Sequence, residues 1–187
     1  RRQRQMCIRD RNWRVAYREM VGTDSERTLT SAIIPPSVAW IHKINGIAIK
    51  NRRDLISIAA SFASLPLDSL VRQIGKSDLQ PTLIKSLPLV EYDSTYEAIS
   101  SRTLGLNCLT NAYRDLWAST YHESWTRDSW TQETLQNQND WFNKIGKTWN
   151  RECCIRSMLL RRQALVEIDV LTARALNLTL YLSLIHI

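Results

Sequence analysis

Two adjacent prolines, Pro35 and Pro36, close an apolar run in ERTLTSAIIPPSVAW, a form that catalytic loops also take. Asp68 and Asp78, with Lys76 and Lys85 nearby, give the spaced carboxylates and cations that a metal-dependent nuclease could use. His42 stands alone, and His122 lies beside Glu123. The cysteines are Cys7, Cys108 and the vicinal pair Cys153–Cys154, with no paired CxxC at zinc-binding spacing. A vicinal pair is poorly placed for a disulfide, so free thiols in a reducing compartment are expected. The five glycines are scattered, and none forms the Gly-rich turn after a strand that would cradle a cofactor phosphate. These patterns predict no catalytic, cofactor-binding or metal-ligating set in this chain.

Charge is the stronger signal. The chain of 187 residues has a net charge of +7, and its first eighteen residues hold seven arginines against the single acid Asp10. That balance fits a polyanionic partner, nucleic acid being the commonest. Lys and Arg neutralise phosphates and release counterions, which gives affinity without sequence information. Base readout would need Arg, Asn or Gln in a groove. The candidates are Arg14 and Arg18 on one strand face and Arg27 in the following turn. Lys43, Lys50, Arg52 and Arg53 flank the next β segment, Arg72 and Lys76 end the following helix, and Lys85 comes after it. Seven tryptophans add large apolar surface. Trp117, Trp125, Trp130, Trp141 and Trp149 could stack bases, but core packing is the expected use.

The elements that must position these residues can be read from periodicity. RNWRVAYREMV alternates, with Trp13, Val15 and Tyr17 on one side and Arg14, Ala16 and Arg18 on an outer, arginine-bearing side. GTDSERT is turn chemistry, and LTSAII is a second strand stopped by Pro35–Pro36. Asn45–Gly46 between two apolar runs predicts a hairpin turn. From Asp54 the spacing becomes helical, with Pro66 expected to kink or divide the helix. LIKSLPL reads as a short extended piece, and STYEAISSRTLGLNCLTNAYRDLWASTY as helix with a possible break at Gly105. RSMLLRRQALVEIDVLTARALNL predicts an amphipathic helix whose Glu167 and Asp169 face solvent or a neighbouring domain. The fold class is α+β: an N-terminal antiparallel β-unit followed by a mainly helical region. Residues 1–92 form a β-rich DNA-recognition part with one helix, and residues 93–181 a helical part. The chain starts at Arg1, and residues 182–187, LSLIHI, read as an adapter-derived tail with no role for His186. A fragment of a longer protein is therefore expected.

Four segments in order, RVAYREMVGTDSERTLTSAIIPP, DLISIAASFASLPLDSLVRQIGKSDLQPTLIKSLPL, RTLGLNCLTNAYRDLW and RRQALVEIDVLTARALNLTL, resemble one family. It is the C-terminal target-recognition region of adenine-specific DNA methyltransferases of type IIG restriction–modification and related phage-defence systems. The resemblance runs from about Trp13 to Leu180. It departs at Ala63–Ser64, where the family has Asn-Ser, and at Leu89–Val90, where it has a further proline. The family's catalytic Asn/Asp-Pro-Pro-aromatic signature is matched only by the prolines, since Ile34 and Ser37 stand at the outer positions. The resemblance implies double-stranded DNA and the methyltransferase domain of the same chain as partners, with S-adenosylmethionine held in a missing N-terminal domain. It implies a bacterial cytoplasmic setting with no membrane association. The competing readings are a scaffold domain that contacts the methyltransferase or another protein, and an unrecognised nuclease using Asp68 or Asp78.

Overall fold

A computed structural model describes residues 11–20, 22, 25–39, 43–75, 78–138 and 141–178. Lys76, His42, Cys7, the first ten residues and the 182–187 tail lie outside the described residues. An N-terminal three-stranded antiparallel sheet is followed by a mainly helical region, as the α+β expectation holds. The strands are β1 (Arg14–Arg18), β2 (Ser31–Ile34) and β3 (Ile44–Ala48), in spatial order β2-β1-β3.

β1 is central and both of its faces are covered. Val15 and Tyr17 are buried, and so are Arg14 and Ala16 on the side expected to be outward. Arg14 is 2% exposed, and its guanidinium donates to the carbonyls of Pro35 at 3.3 Å and Val38 at 2.5 Å. The side chain therefore fastens the reversal that follows β2. Pro35 does end that strand, and Ser37 takes a left-handed φ of 66° in the turn.

The Asn45–Gly46 hairpin is not formed. Both residues lie inside β3, which pairs with β1 in the register Tyr17↔Asn45 and Ala16↔Gly46. Among the described residues of this connection, Ser37 and Lys43 are left-handed, with φ of 66° and 77°. The dipeptide signal is local, and a hairpin also needs a ladder partner just before it. Here β1 supplies the ladder.

Asn51 caps α1 (Arg52–Phe62), its side chain accepting from the Arg53 amide at 2.8 Å. Pro66 divides the helical stretch as expected: α2 (Leu65–Ile74) holds it in its first turn and leaves α1 at a 65° bend. Gly75 closes α2 in the left-handed conformation, φ 66°. The segment expected to be extended begins as a short helix, α3 (Pro81–Ile84), because Pro81 presets the first helical φ. α4 (Tyr96–Asn107) passes through Gly105 and stops at Cys108. After it come α5 (Arg114–Thr120), α6 (Glu133–Gln138), α7 (Trp141–Lys144) and the long α8 (Met158–Ala175).

One contiguous buried cluster runs from Val15 and Ile33 of the sheet through Leu55, Ile56 and Ile99 to Ile168 of α8. Burial of side chains of this size contributes roughly 1.5–3 kcal/mol each, so the cluster dominates stability. Within it the Tyr92 hydroxyl bridges Ser61 of α1 and Thr172 of α8, at 2.9 Å each. Trp117, Trp125, Trp130 and Trp141 are buried there too, as core packing requires. Trp117 donates to the Gly146 carbonyl at 2.7 Å, and Trp125 to Glu97 at 2.8 Å. Among the described residues no single helix is long and apolar enough to cross a membrane.

Candidate nucleic-acid interface

The basic residues divide into those with internal work and those without. Arg27 belongs to the first group. It makes a two-pronged ion pair with Asp169 of α8, both contacts at 2.8 Å, and donates to the Ala63 carbonyl at 2.6 Å. Asp169 also accepts from the Leu65 amide at 2.8 Å, satisfying the first turn of α2 where Ser64 makes no side-chain cap. Arg72 is likewise occupied. Its Nε donates to Asp68 at 2.8 Å, and its terminal nitrogen reaches the carbonyls of Ser25 and Glu26 at 3.1 and 2.7 Å. Asp68, 2% exposed, accepts from the Thr28 and Leu29 amides at 2.6 Å each. The Glu-Arg-Thr turn is thus clamped onto α2 and α8 by three side chains. Arg14 and Arg53 are engaged as well, Arg53 lying 4.0 Å over the Tyr96 ring.

A second charged cluster, not foreseen in the sequence, lies on the helical side. Arg102 of α4, 3% exposed, pairs with Glu167 of α8 through a short Nε contact and with Asp128 at 2.6 Å. It also donates to the carbonyls of Ala98 and Ser129. Glu167, 4% exposed, further accepts from the Thr131 amide and hydroxyl and from Gln163. Glu167 and Asp169 are therefore engaged within this fold, correcting the expectation that they face solvent or a neighbouring domain. The signal was present: Glu167 follows Ala164 by three and precedes Leu171 by four, on the apolar side of α8. Asp68 is a structural acceptor, so its carboxylate is already committed to two amides and a guanidinium.

Of the cations picked out in the sequence, the ones left exposed and unpaired lie beside β3 or its groove, while Arg127, Lys144, Lys147 and Arg151 are exposed elsewhere. Arg18, Lys43, Lys50, Arg52 and Lys85 are exposed and form no ion pair among the described residues. Lys43 and Lys50 flank the two ends of β3. Arg18 sits opposite Ile44 in the register, and Arg52 opens α1. Lys85 and Asn45–Ala48 line one groove of about 800 Å³. The floor of the groove includes Tyr17, Ile58, Phe62 and Ile84. Burial, reinforced by Glu19, raises the Tyr17 hydroxyl above its usual range, so it stays neutral there.

Family models, curated proteins and solved structures give no match to this chain. The side chains themselves carry the functional reading. Among the described residues no group of three or more His, Cys, Asp or Glu could hold a metal ion. Cys108, Cys153 and Cys154 are free and buried, and the Cys154 thiol donates to the Cys108 carbonyl at 3.1 Å. Burial, with the neighbouring Cys154 and Cys153, pushes the Cys108 thiol well up, which disfavours the reactive thiolate. His122 is exposed, its ring bonded to the Ser124 hydroxyl at 2.7 Å.

Proposed function

We propose that this chain is a duplex-DNA-binding, target-recognition part of an adenine-specific DNA methyltransferase of the restriction–modification type, working in the cytoplasm and non-catalytic in itself. One observation carries the reading. Once the arginines engaged inside the fold are set aside, five of the cations picked out in the sequence are exposed beside β3 or its groove. From Lys43 to Lys50 extended chain reaches at most about 25 Å, long enough to meet several backbone phosphates of a duplex. The lysines act as point charges on phosphates, whereas Arg18 and Arg52 carry the planar fork suited to a guanine edge or a bidentate phosphate. Adenine methylation belongs, on this reading, to a separate S-adenosylmethionine-binding domain that this part holds on its site.

The test is duplex binding by fluorescence anisotropy across a salt series. Five phosphate contacts predict a log–log slope near −4.5, about −0.9 for each contact. Lys43→Ala with Lys50→Ala lowers its magnitude by about two. Arg27→Ala and Arg72→Ala act on stability and leave the slope of the folded protein unchanged. Salt-insensitive binding, or parental affinity in Lys43→Ala/Lys50→Ala and in Arg18→Ala/Arg52→Ala, refutes the proposal.

A further inference from the structure

The sheet has two edges, and the fold treats them differently. In the β1–β2 pair, the Arg18 amide donates to the Thr30 carbonyl, so Arg18, Ala16 and Arg14 turn their backbone groups towards β2. The outward groups of β2 then include those of Ile33, and both are capped by side chains. Its amide donates to Asn107 Oδ1 at 2.9 Å, and its carbonyl accepts from the Tyr113 hydroxyl at 2.8 Å. In the β1–β3 pair, Ile49 donates to Trp13 and Glu19 to Lys43. By alternation Asn45 and Ile47 face β1, while Ile44, Gly46 and Ala48 present their amides and carbonyls outward. Those groups have no partner among the described residues. The strand itself, INGIA, carries no charge, lysine or proline of the kind that guards an edge.

We propose that the β3 edge and its groove take up an extended acidic peptide segment as a fourth strand. Main-chain bonds to Ile44, Gly46 and Ala48 would supply affinity, and alternate side chains would supply specificity. One side of such a strand lies over the apolar floor of Tyr17, Ile58, Phe62 and Ile84, so every second residue is apolar. Charge selects the rest. Lys43 and Lys50 flank the strand and Lys85 lines the groove, while no Asp or Glu lines it among the described residues. A second copy of the chain fits poorly, because antiparallel β3–β3 pairing brings together the lysine-flanked ends of both strands and opposes like charges. The site goes beyond the duplex-binding reading, since it uses backbone groups and an apolar floor that phosphates do not need.

The probe is a short fluorescein-labelled peptide of alternating glutamate and valine, titrated into the intact chain. It is compared with two versions N-methylated at alternate residues, one on the valines and one on the glutamates. Strand addition predicts saturable binding, with one methylated version weakened about tenfold or more and the other close to parental. Lys43→Glu with Lys85→Glu weakens the parent peptide about fivefold. Gly46→Pro removes an outward amide; it weakens the peptide and leaves duplex binding unchanged. If that variant does not fold, the methylated peptides decide on the natural chain. Equal affinity for all three peptides, or no saturable binding, overturns the inference. Duplex binding without peptide binding overturns this site alone, and peptide binding without duplex binding overturns only the DNA reading.

Discussion

Replacing Arg102 with leucine tests how the helical half is held. The guanidinium meets two carboxylates and two backbone carbonyls from a position 3% exposed to solvent. Asp128, with a side chain 29% exposed, can turn to water when the arginine goes. Glu167 cannot, because its side chain is 4% exposed and fixed by Thr131 and Gln163. Leucine therefore leaves a buried carboxylate without its cation. Breaking a buried pair from one side costs about 3–5 kcal/mol. For a domain of this size that corresponds to a loss of roughly 6–20 °C in Tm. Removing both charges in Arg102→Leu/Glu167→Leu recovers part of the loss, because no orphaned charge remains. The coupling in the double-mutant cycle should be about 2 kcal/mol. Arg102→Lys keeps the charge but not the fork, and should recover less than half of the loss. Urea unfolding followed by tryptophan fluorescence reads the parent, Arg102→Leu, Glu167→Leu, the double variant and Arg102→Lys, and Trp130 lies 5.6 Å from the guanidinium as a local reporter. A single-variant cost below about 1 kcal/mol, or strict additivity in the cycle, would show that this pair is screened and that the reasoning is wrong.

Gly105→Ala should destabilise by about 1–3 kcal/mol, because a Cβ there would lie 2.7 Å from Ile155 Cδ1 and 2.8 Å from Trp141 Cζ2; parental thermal stability would show that the close approach of Ile155 and of Trp141 in α7 is not set by this glycine. Asp169→Ala removes the acceptor for Arg27 and for the first amide of α2, and should lower chemical stability by about 2–4 kcal/mol. Stability should also decline in alkali. Burial raises the thiols of Cys108 and Cys153 and the hydroxyls of Tyr17, Tyr92 and Tyr96 in the folded state. The unfolded chain therefore releases those protons first. The folded state binds more protons, so stability is intact below the ordinary thiol range near 9 and falls as pH rises through it. Urea midpoints from pH 7 to 10 check the sign. In a Cys7→Ser background, a thiol reagent should label slowly until the protein is denatured.

The sequence by itself determined the order of element types, because each rests on local chemistry. Alternation in RNWRVAYREMV made β1, Pro35 ended β2, and Pro66 divided α1 from α2. The apolar spacing of the last helix was equally legible, and so was the burial of the tryptophans. The tertiary structure decided where the charges go. Arg14 and Arg27 look like surface cations in a basic sequence, yet one fastens Pro35 and Val38 and the other grips Asp169, which lies 142 residues further along. No local pattern specifies a partner at that separation, because the pair exists only once α1, α2 and α8 have packed. Asn45–Gly46 failed as a turn for the same reason: β1 offered its ladder, and a long-range pairing outweighed a dipeptide preference. The exposed rim of Arg18, Lys43, Lys50, Arg52 and Lys85 could be separated from the rest only after the internal partners were known. A basic residue contacts a ligand only when the fold has not already claimed its charge.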